Sequence, residues 1–291
     1  MESATGRLPF NAMILHDSHN HLQRFADPTR IIREMRDAGV AGCVVNGTGE
    51  DDWDSVARLA ETFPDFVQPA FGLHPWKAHL RSADWLATLE SFLDRFPTAS
   101  IGECGLDGWV AAPPLEVQRE VFLPQLALAR ERTLPVTIHA LKAWEPLFSS
   151  FEQEPPPEKF LLHSFGGSAE LVKRLADLGA SFSFSGYFLQ PRKAKVIEAF
   201  KAVPPDRLLV ETDAPDMLPP EEFITHRAAE GNHTANLVRI AEGLADRLEI
   251  AVADLALATT GNHCRFFGVT ALAKSPPTPL TPPANRSRES P

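Results

Sequence analysis

Cysteine is scarce in this chain. Only Cys43, Cys104 and Cys264 occur, and an odd number without a CxxC spacing excludes a disulfide framework. Cys43, in the run VAGCVVNG, reads as a small buried hydrophobe. No stretch of 18 apolar residues is present, so no membrane-spanning helix is expected. The first residues, MESATGRLPFNAMILHDSHNH, lack a basic segment followed by an apolar one. No secretory signal is read there, and a cytoplasmic address is the expectation. Positive charge is also in deficit: 28 Lys and Arg stand against 38 Asp and Glu, a formal net charge of −10. That balance excludes coating nucleic acid by bulk charge, but not an enzyme whose bound cations neutralise phosphate locally. No GxGxxG or GxxxxGK[ST] follows the first apolar run, so a nucleotide-binding sheet lacks its signature.

What is present is ordinary globular material, 44% hydrophobic and 23% charged, in 291 residues. Short β-branched apolar runs fall at residues 13–17, 40–46, 66–71, 99–104, 134–138, 160–163, 181–185 and 208–211. Longer amphipathic stretches separate them, at 28–38, 53–63, 83–96, 115–133, 168–178 and 191–200, and two more follow at 234–248 and 251–267. In 115–133, Val121, Phe122, Leu126, Leu128 and Ala129 share a helical face with Gln125. Ser168 reads as an N-cap and Gly179 as the stop of the helix between them. Alternating strands and helices imply a parallel sheet. Eight repeats over about 250 residues imply closure into a (β/α)8 TIM barrel, one domain over 13–268; an open doubly wound sheet is the second architecture. Residues 274–291, KSPPTPLTPPANRSRESP, read as a disordered Pro-rich tail.

In such a barrel the chemistry sits at the C-terminal ends of the strands. The first run ends in Asp17-Ser-His19-Asn-His21, where period-2 alternation puts both imidazoles on one side. Asp17 shares their parity and is expected to orient an imidazole from behind. His74 follows the third run and Glu103, flanked by glycines, closes the fourth. His139, His163 and Asp213 follow the fifth, sixth and eighth. Each has a bland explanation alone: a capped strand end, a packed histidine, a loop carboxylate. Those explanations would have to hold independently at five strand ends, whereas four imidazoles and two carboxylates form one sensible donor set for divalent ions. Cys104 points away from Glu103 on an extended strand and is not read as a ligand. His16, His79, His226, His233 and His263 are read as surface or packing residues.

The segments DSHNHL, FGLHPW, IGECGLDG, LPVTIHA, LLHSFGGS, FSFSG, LLVETDAP, GNHTANLVRIAEGLA and TTGNHCRFFG span residues 17–268. In content and order they resemble the TatD family of metal-dependent deoxyribonucleases, within the amidohydrolase-like barrels. The resemblance implies two divalent ions (Zn, Mn or Mg). His19 and His21 would bind one of them with Asp213, Glu103 would bridge both, and His139 and His163 would complete the second. It further implies His74 near a substrate phosphate, Glu211 as an acidic residue behind the ligands, and Asn232 in the late loop. Two segments depart from the family pattern. Gly108-Trp109 follows GLD where an aromatic is usual, and His139-Ala140-Leu141-Lys142-Ala143 replaces H-S-R-D-A. Lys142 is expected to supply substrate-binding charge, without the bidentate geometry of a guanidinium.

The expected reaction is hydrolysis of a phosphodiester in DNA by water made acidic by the ions, with Asp213 as general base and Glu103 in the catalytic centre. Two rivals stand beside it. One is a metal-dependent ester or amide hydrolase, a deacylase or lactonase acting on a small molecule or aminoacyl-tRNA. The other is a metal-binding protein without catalysis. A monomer or weak oligomer is expected, with no membrane partner.

Overall fold

A computed structural model describes residues 13–269; the tail expected at 274–291 lies outside them. Eight parallel strands run in the order of the chain: β1 Leu15–Asn20, β2 Val40–Asn46, β3 Val67–Phe71, β4 Ser100–Asp107, β5 Val136–Leu141, β6 Phe160–Leu162, β7 Ser181–Ser185 and β8 Leu208–Glu211. The helices are α1 Pro28–Asp37, α2 Trp53–Thr62, α3 Trp85–Arg95, α4 Leu115–Arg132, α5 Trp144–Gln153, α6 Ala169–Asp177, α7 Ala194–Phe200, α8 Leu237–Leu248 and α9 Val252–Phe267. The sheet is therefore a TIM barrel, not the open doubly wound alternative. Its seam lies between β8 and β1. There Asp213 N–H donates to the His19 carbonyl at 3.0 Å and His21 N–H to the Ala214 carbonyl at 2.8 Å.

Local chemistry accounts for the helix boundaries. Asp27 caps α1 by accepting from Arg30 N–H at 2.9 Å, and Pro28 occupies the first turn, where its missing N–H costs nothing. Ser168 caps α6, and Gly179 takes the left-handed conformation (φ +104°) just past its end. The α5 segment is a helix absent from the sequence-based expectation. Pro146 and the prolines at 155–157 obscure its period, yet a proline in the first turn breaks no internal hydrogen bond.

The N-terminal end of the barrel is closed by α9. Phe266 and Phe267 pack with Val44, Ala70, Leu161 and Leu209 from four strands. Asn262 donates to the Leu208 carbonyl at 2.7 Å, and Thr260 to the Ile14 carbonyl at 2.6 Å. With one end plugged by apolar side chains, the polar strand residues converge at the other.

Candidate metal centre

The longest strand, β4, runs three residues beyond its expected end, so Glu103 lies within it, fully inside the sheet. Gly105 allows this. Its φ is +141°, and a Cβ there would come within 2.0 Å of the His139 carbonyl oxygen, so only glycine lets β4 and β5 lie this close.

The six expected ligands converge. Glu103 Oε2 is 3.3 Å from both His19 Nε2 and His21 Nε2. Glu103 Oε1 is 2.9 Å from His139 Nδ1 and 2.8 Å from His163 Nε2. One carboxylate therefore faces two sets of imidazoles, one with each oxygen. Asp213 Oδ1 stands 3.5 Å from His19 Nε2 and from His21 Nε2. His74 joins from the loop after β3, with Nε2 3.1 Å from Glu103 Oε1. Three overlapping groups have ligand atoms within 4.8 Å of one another: His19, His21 and Glu103; His19, His163 and Asp213; and His74, Glu103 and His139. All seven residues are buried or half-buried.

The hydrogen bonds behind the rings say which nitrogen carries a lone pair. His21 Nδ1–H donates to the Asn46 carbonyl at 2.8 Å, leaving Nε2 as the electron-pair donor. His139 places Nε2 3.1 Å from Asp107 Oδ2, so the proton sits there and Nδ1 faces the centre. His74 is the reverse. Its Nδ1 accepts from Trp76 N–H at 3.2 Å, so the neutral ring carries its proton on Nε2 and donates to Glu103. That tautomer makes His74 a hydrogen-bond donor aimed into the centre, distinct from the lone-pair imidazoles around it.

Charge is as concentrated as the geometry. Burial would raise Glu103, but the imidazoles packed around it, His163 foremost, hold its carboxyl well below the usual range. Asp213 is likewise lowered against its burial, chiefly by its bond to His21. Burial would lower His21, yet the Asp213 and Glu103 carboxylates hold it up at about 10. Two ionised carboxylates thus draw protons onto His21, His139 and His163. Divalent ions would replace those protons, and buried nitrogen and carboxylate oxygen are donors that suit them. The residues fit a metal centre.

The supporting residues partly match and partly correct expectation. Glu211 accepts from Ser164 N–H and Oγ–H, each at 2.7 Å, and from Ser183, and its Oε1 is 3.6 Å from His163 Nδ1. Asp17 touches no imidazole. It accepts from Thr212 N–H at 2.9 Å, Thr212 Oγ1–H at 2.6 Å and Asn20 Nδ2–H at 3.1 Å, so it staples the seam beneath Asp213. The shared parity was real, but the side chain meets an open sheet edge first. Lys142 is exposed and its ammonium lies over the Trp109 ring, 4.0 Å from the centroid. Cys104 turns into the core, its Sγ 3.8 Å from the Thr137 carbonyl. His16 and His263 stack with centroids 4.6 Å apart, and His233 bonds Glu34 at 2.7 Å. Asn232 donates to the Thr212 carbonyl at 2.9 Å.

Asp107 was missed. Its Oδ2 accepts from Trp76 Nε1–H at 2.7 Å and faces His139, and its Oδ1 accepts from Trp109 N–H at 2.7 Å. Burial would raise it, but the bonds from His139, Trp76 and Trp109 hold it at about 2. The signal was available: Asp107 shares strand parity with Glu103, four residues on.

A parallel barrel with buried imidazoles and carboxylates at the C-terminal ends of its strands defines the class of barrel hydrolases that work through bound metal. Residues 16–268 match the model of the TatD-related DNase family, and the chain belongs to that family. It is similar to an uncharacterised metal-dependent hydrolase, YabD, of Bacillus subtilis, 31% identical over 260 residues that cover 88% of this chain and 100% of YabD. It is also similar to the 3′-5′ ssDNA/RNA exonuclease TatD of Pantoea ananatis, 30% identical over 246 residues, 84% of this chain and 94% of that one. Among solved structures, the TatD homologue YjjV of Escherichia coli superposes with a TM-score of 0.81 at 27% identity, covering 88% of this chain and 98% of that one. The protein is a metal-dependent hydrolase of the TatD type. No helix among the described residues is long and apolar enough to cross a membrane.

Proposed function

We propose that this chain hydrolyses phosphodiester bonds of single-stranded nucleic acid with two divalent ions. One would be held by His19, His21 and Asp213, the other by His139 and His163, with Glu103 between them. The observation that carries the reading is Glu103, whose two oxygens face two separate imidazole sets. The substrate class is carried over from the exonuclease relative. Bound divalent ions supply Lewis acidity at the phosphoryl oxygens and a nucleophile at neutral pH.

The chain's own residues do the rest. Asp213, buried and held ionised, accepts the proton of the attacking water; Ser164 Oγ, 3.3 Å from its Oδ2, steadies it. His74 Nε2–H donates toward a non-bridging phosphoryl oxygen, where negative charge grows. The plugged floor and buried ligands exclude bulk water, which strengthens both contacts.

The test is turnover of single-stranded DNA, RNA, an aryl phosphodiester and an acyl ester, with Mg2+, Mn2+ and Zn2+ and with chelator. Metal-dependent release of nucleotides supports the reading. Turnover confined to the acyl ester overturns it.

A further inference from the structure

We infer that Trp76 and Trp109, with Lys142, form a nucleobase-stacking site on the rim of the metal centre; the inference rests on the phosphodiester reading above. Both indoles are unusually open for their size, Trp76 52% and Trp109 66% exposed. Trp76 is held through its indole and Trp109 through its backbone. Asp107 accepts the Trp76 indole N–H with one oxygen and the Trp109 backbone N–H with the other. The Trp76 ring further stands edge-on to His74, centroids 5.0 Å apart, and to His139, 6.4 Å apart. One carboxylate thus joins two exposed tryptophans to the donor cluster.

Lys142 is held at Trp109 by backbone geometry. Gly108 N–H donates to the Leu141 carbonyl at 2.7 Å, and a Cβ on Gly108 would come within 2.4 Å of the Lys142 carbonyl oxygen. Glycine at 108 therefore lets the two loops touch and sets the indole at 109 beside the ammonium at 142. Exposed aromatic rings beside a cation suit a strand that presents flat bases and charged phosphates alternately. Stacking on such rings is sequence-tolerant because every base has a π-face. Trp109 and Lys142 then compose one site: the indole takes the base, and the lysine takes a phosphate.

The experiment measures kcat and KM on two single strands of equal length, one with bases and one abasic throughout. It compares the full-length holoenzyme with Trp109→Ala, Trp109→Phe and Lys142→Gln. Trp109→Ala is expected to raise KM for the base-bearing strand ~10-fold or more, the loss of one stacking contact, with no matching rise for the abasic strand. Trp109→Phe should recover most of that loss. Lys142→Gln should raise KM for both strands alike and flatten its salt dependence. Equal effects of Trp109→Ala on both strands, or none on either, overturn the inference alone. A wild type that cleaves neither strand but hydrolyses an acyl ester overturns the phosphodiester reading and this site with it.

Discussion

His139 illustrates what the centre asks of a single residue. The ring must present Nδ1 to the cluster and keep its proton on Nε2, and Asp107 enforces both. A carboxylate behind a ligand imidazole fixes its tautomer and raises its basicity. Asp107→Asn keeps the shape but removes the charge. It is expected to weaken metal binding about 10- to 100-fold, read by titrating chelator against bound metal; unaltered affinity would remove Asp107 from the site. Asp213 can be tested directly. Asp213→Ala at saturating metal should lower kcat by about 10²-fold or more, with metal content measured in parallel. Wild-type turnover with full metal occupancy would rule out its role as base. Asp17 was expected behind an imidazole and Asp107 was not singled out, and both have one reason. Parity along a strand says which side a residue faces, not which neighbour it meets.

At the scale of elements, α4 works as a splint. Gln125 Oε1 accepts from Leu73 N–H at 2.8 Å and its amide donates to the Leu73 carbonyl at 3.2 Å. Gln118 treats Asp107 the same way, accepting at 2.7 Å and donating at 3.0 Å. Two buried amides thus stand in for a sheet partner at the loops that carry His74 and Asp107. Gln125→Leu would leave a buried N–H and C=O of Leu73 unpaired, and a loss of about 1–3 kcal/mol per orphaned group is expected in denaturant unfolding. A neutral result would mean that water or a shifted loop takes over. The pattern at 115–133 put Gln125 on the apolar face, so its burial was legible; its bond to a loop 52 residues away was not. The strands were legible to within a few residues. β1, β4 and β5 each run on three residues past the expected end, and β1 and β5 also begin two residues late.

Across the whole molecule, ionisation couples the fold to pH. Burial lowers His16 from 6.5 to about 4, and His263, stacked on it, is lowered for the same reason. Between those pH values the unfolded chain binds a proton that the folded chain refuses. The stabilisation is therefore complete above pH 6.5 and is lost as pH falls toward 4, by up to about 3 kcal/mol for His16. His16→Phe stacks but cannot charge, and it should flatten this part of the profile in melting curves recorded with chelator. An unchanged acid slope would assign the loss elsewhere. Metal held as proposed would act on the whole fold as well, because the residues that would hold it lie in or just after β1, β4, β5, β6 and β8. Ligand binding to the folded state alone raises stability by RT ln(1 + [L]/Kd), about 4 kcal/mol at 1,000 times Kd. Chelation should lower Tm and readdition should restore it; an indifferent Tm would argue against a buried centre.

Alternation of apolar runs and amphipathic stretches was enough to indicate a parallel sheet, and eight repeats favoured a closed barrel over an open doubly wound sheet. The same logic set histidines and carboxylates at strand ends, and fold and candidate ligands were readable from order alone. Which nitrogen of each ring faces inward depends on contacts between residues distant in the chain, such as His139 with Asp107 and His21 with Asn46. So does the pairing of Trp109 with Lys142. Tautomer, bridge and rim are settled by which neighbours closure of the barrel brings within hydrogen-bonding distance, and a linear pattern carries no such distances.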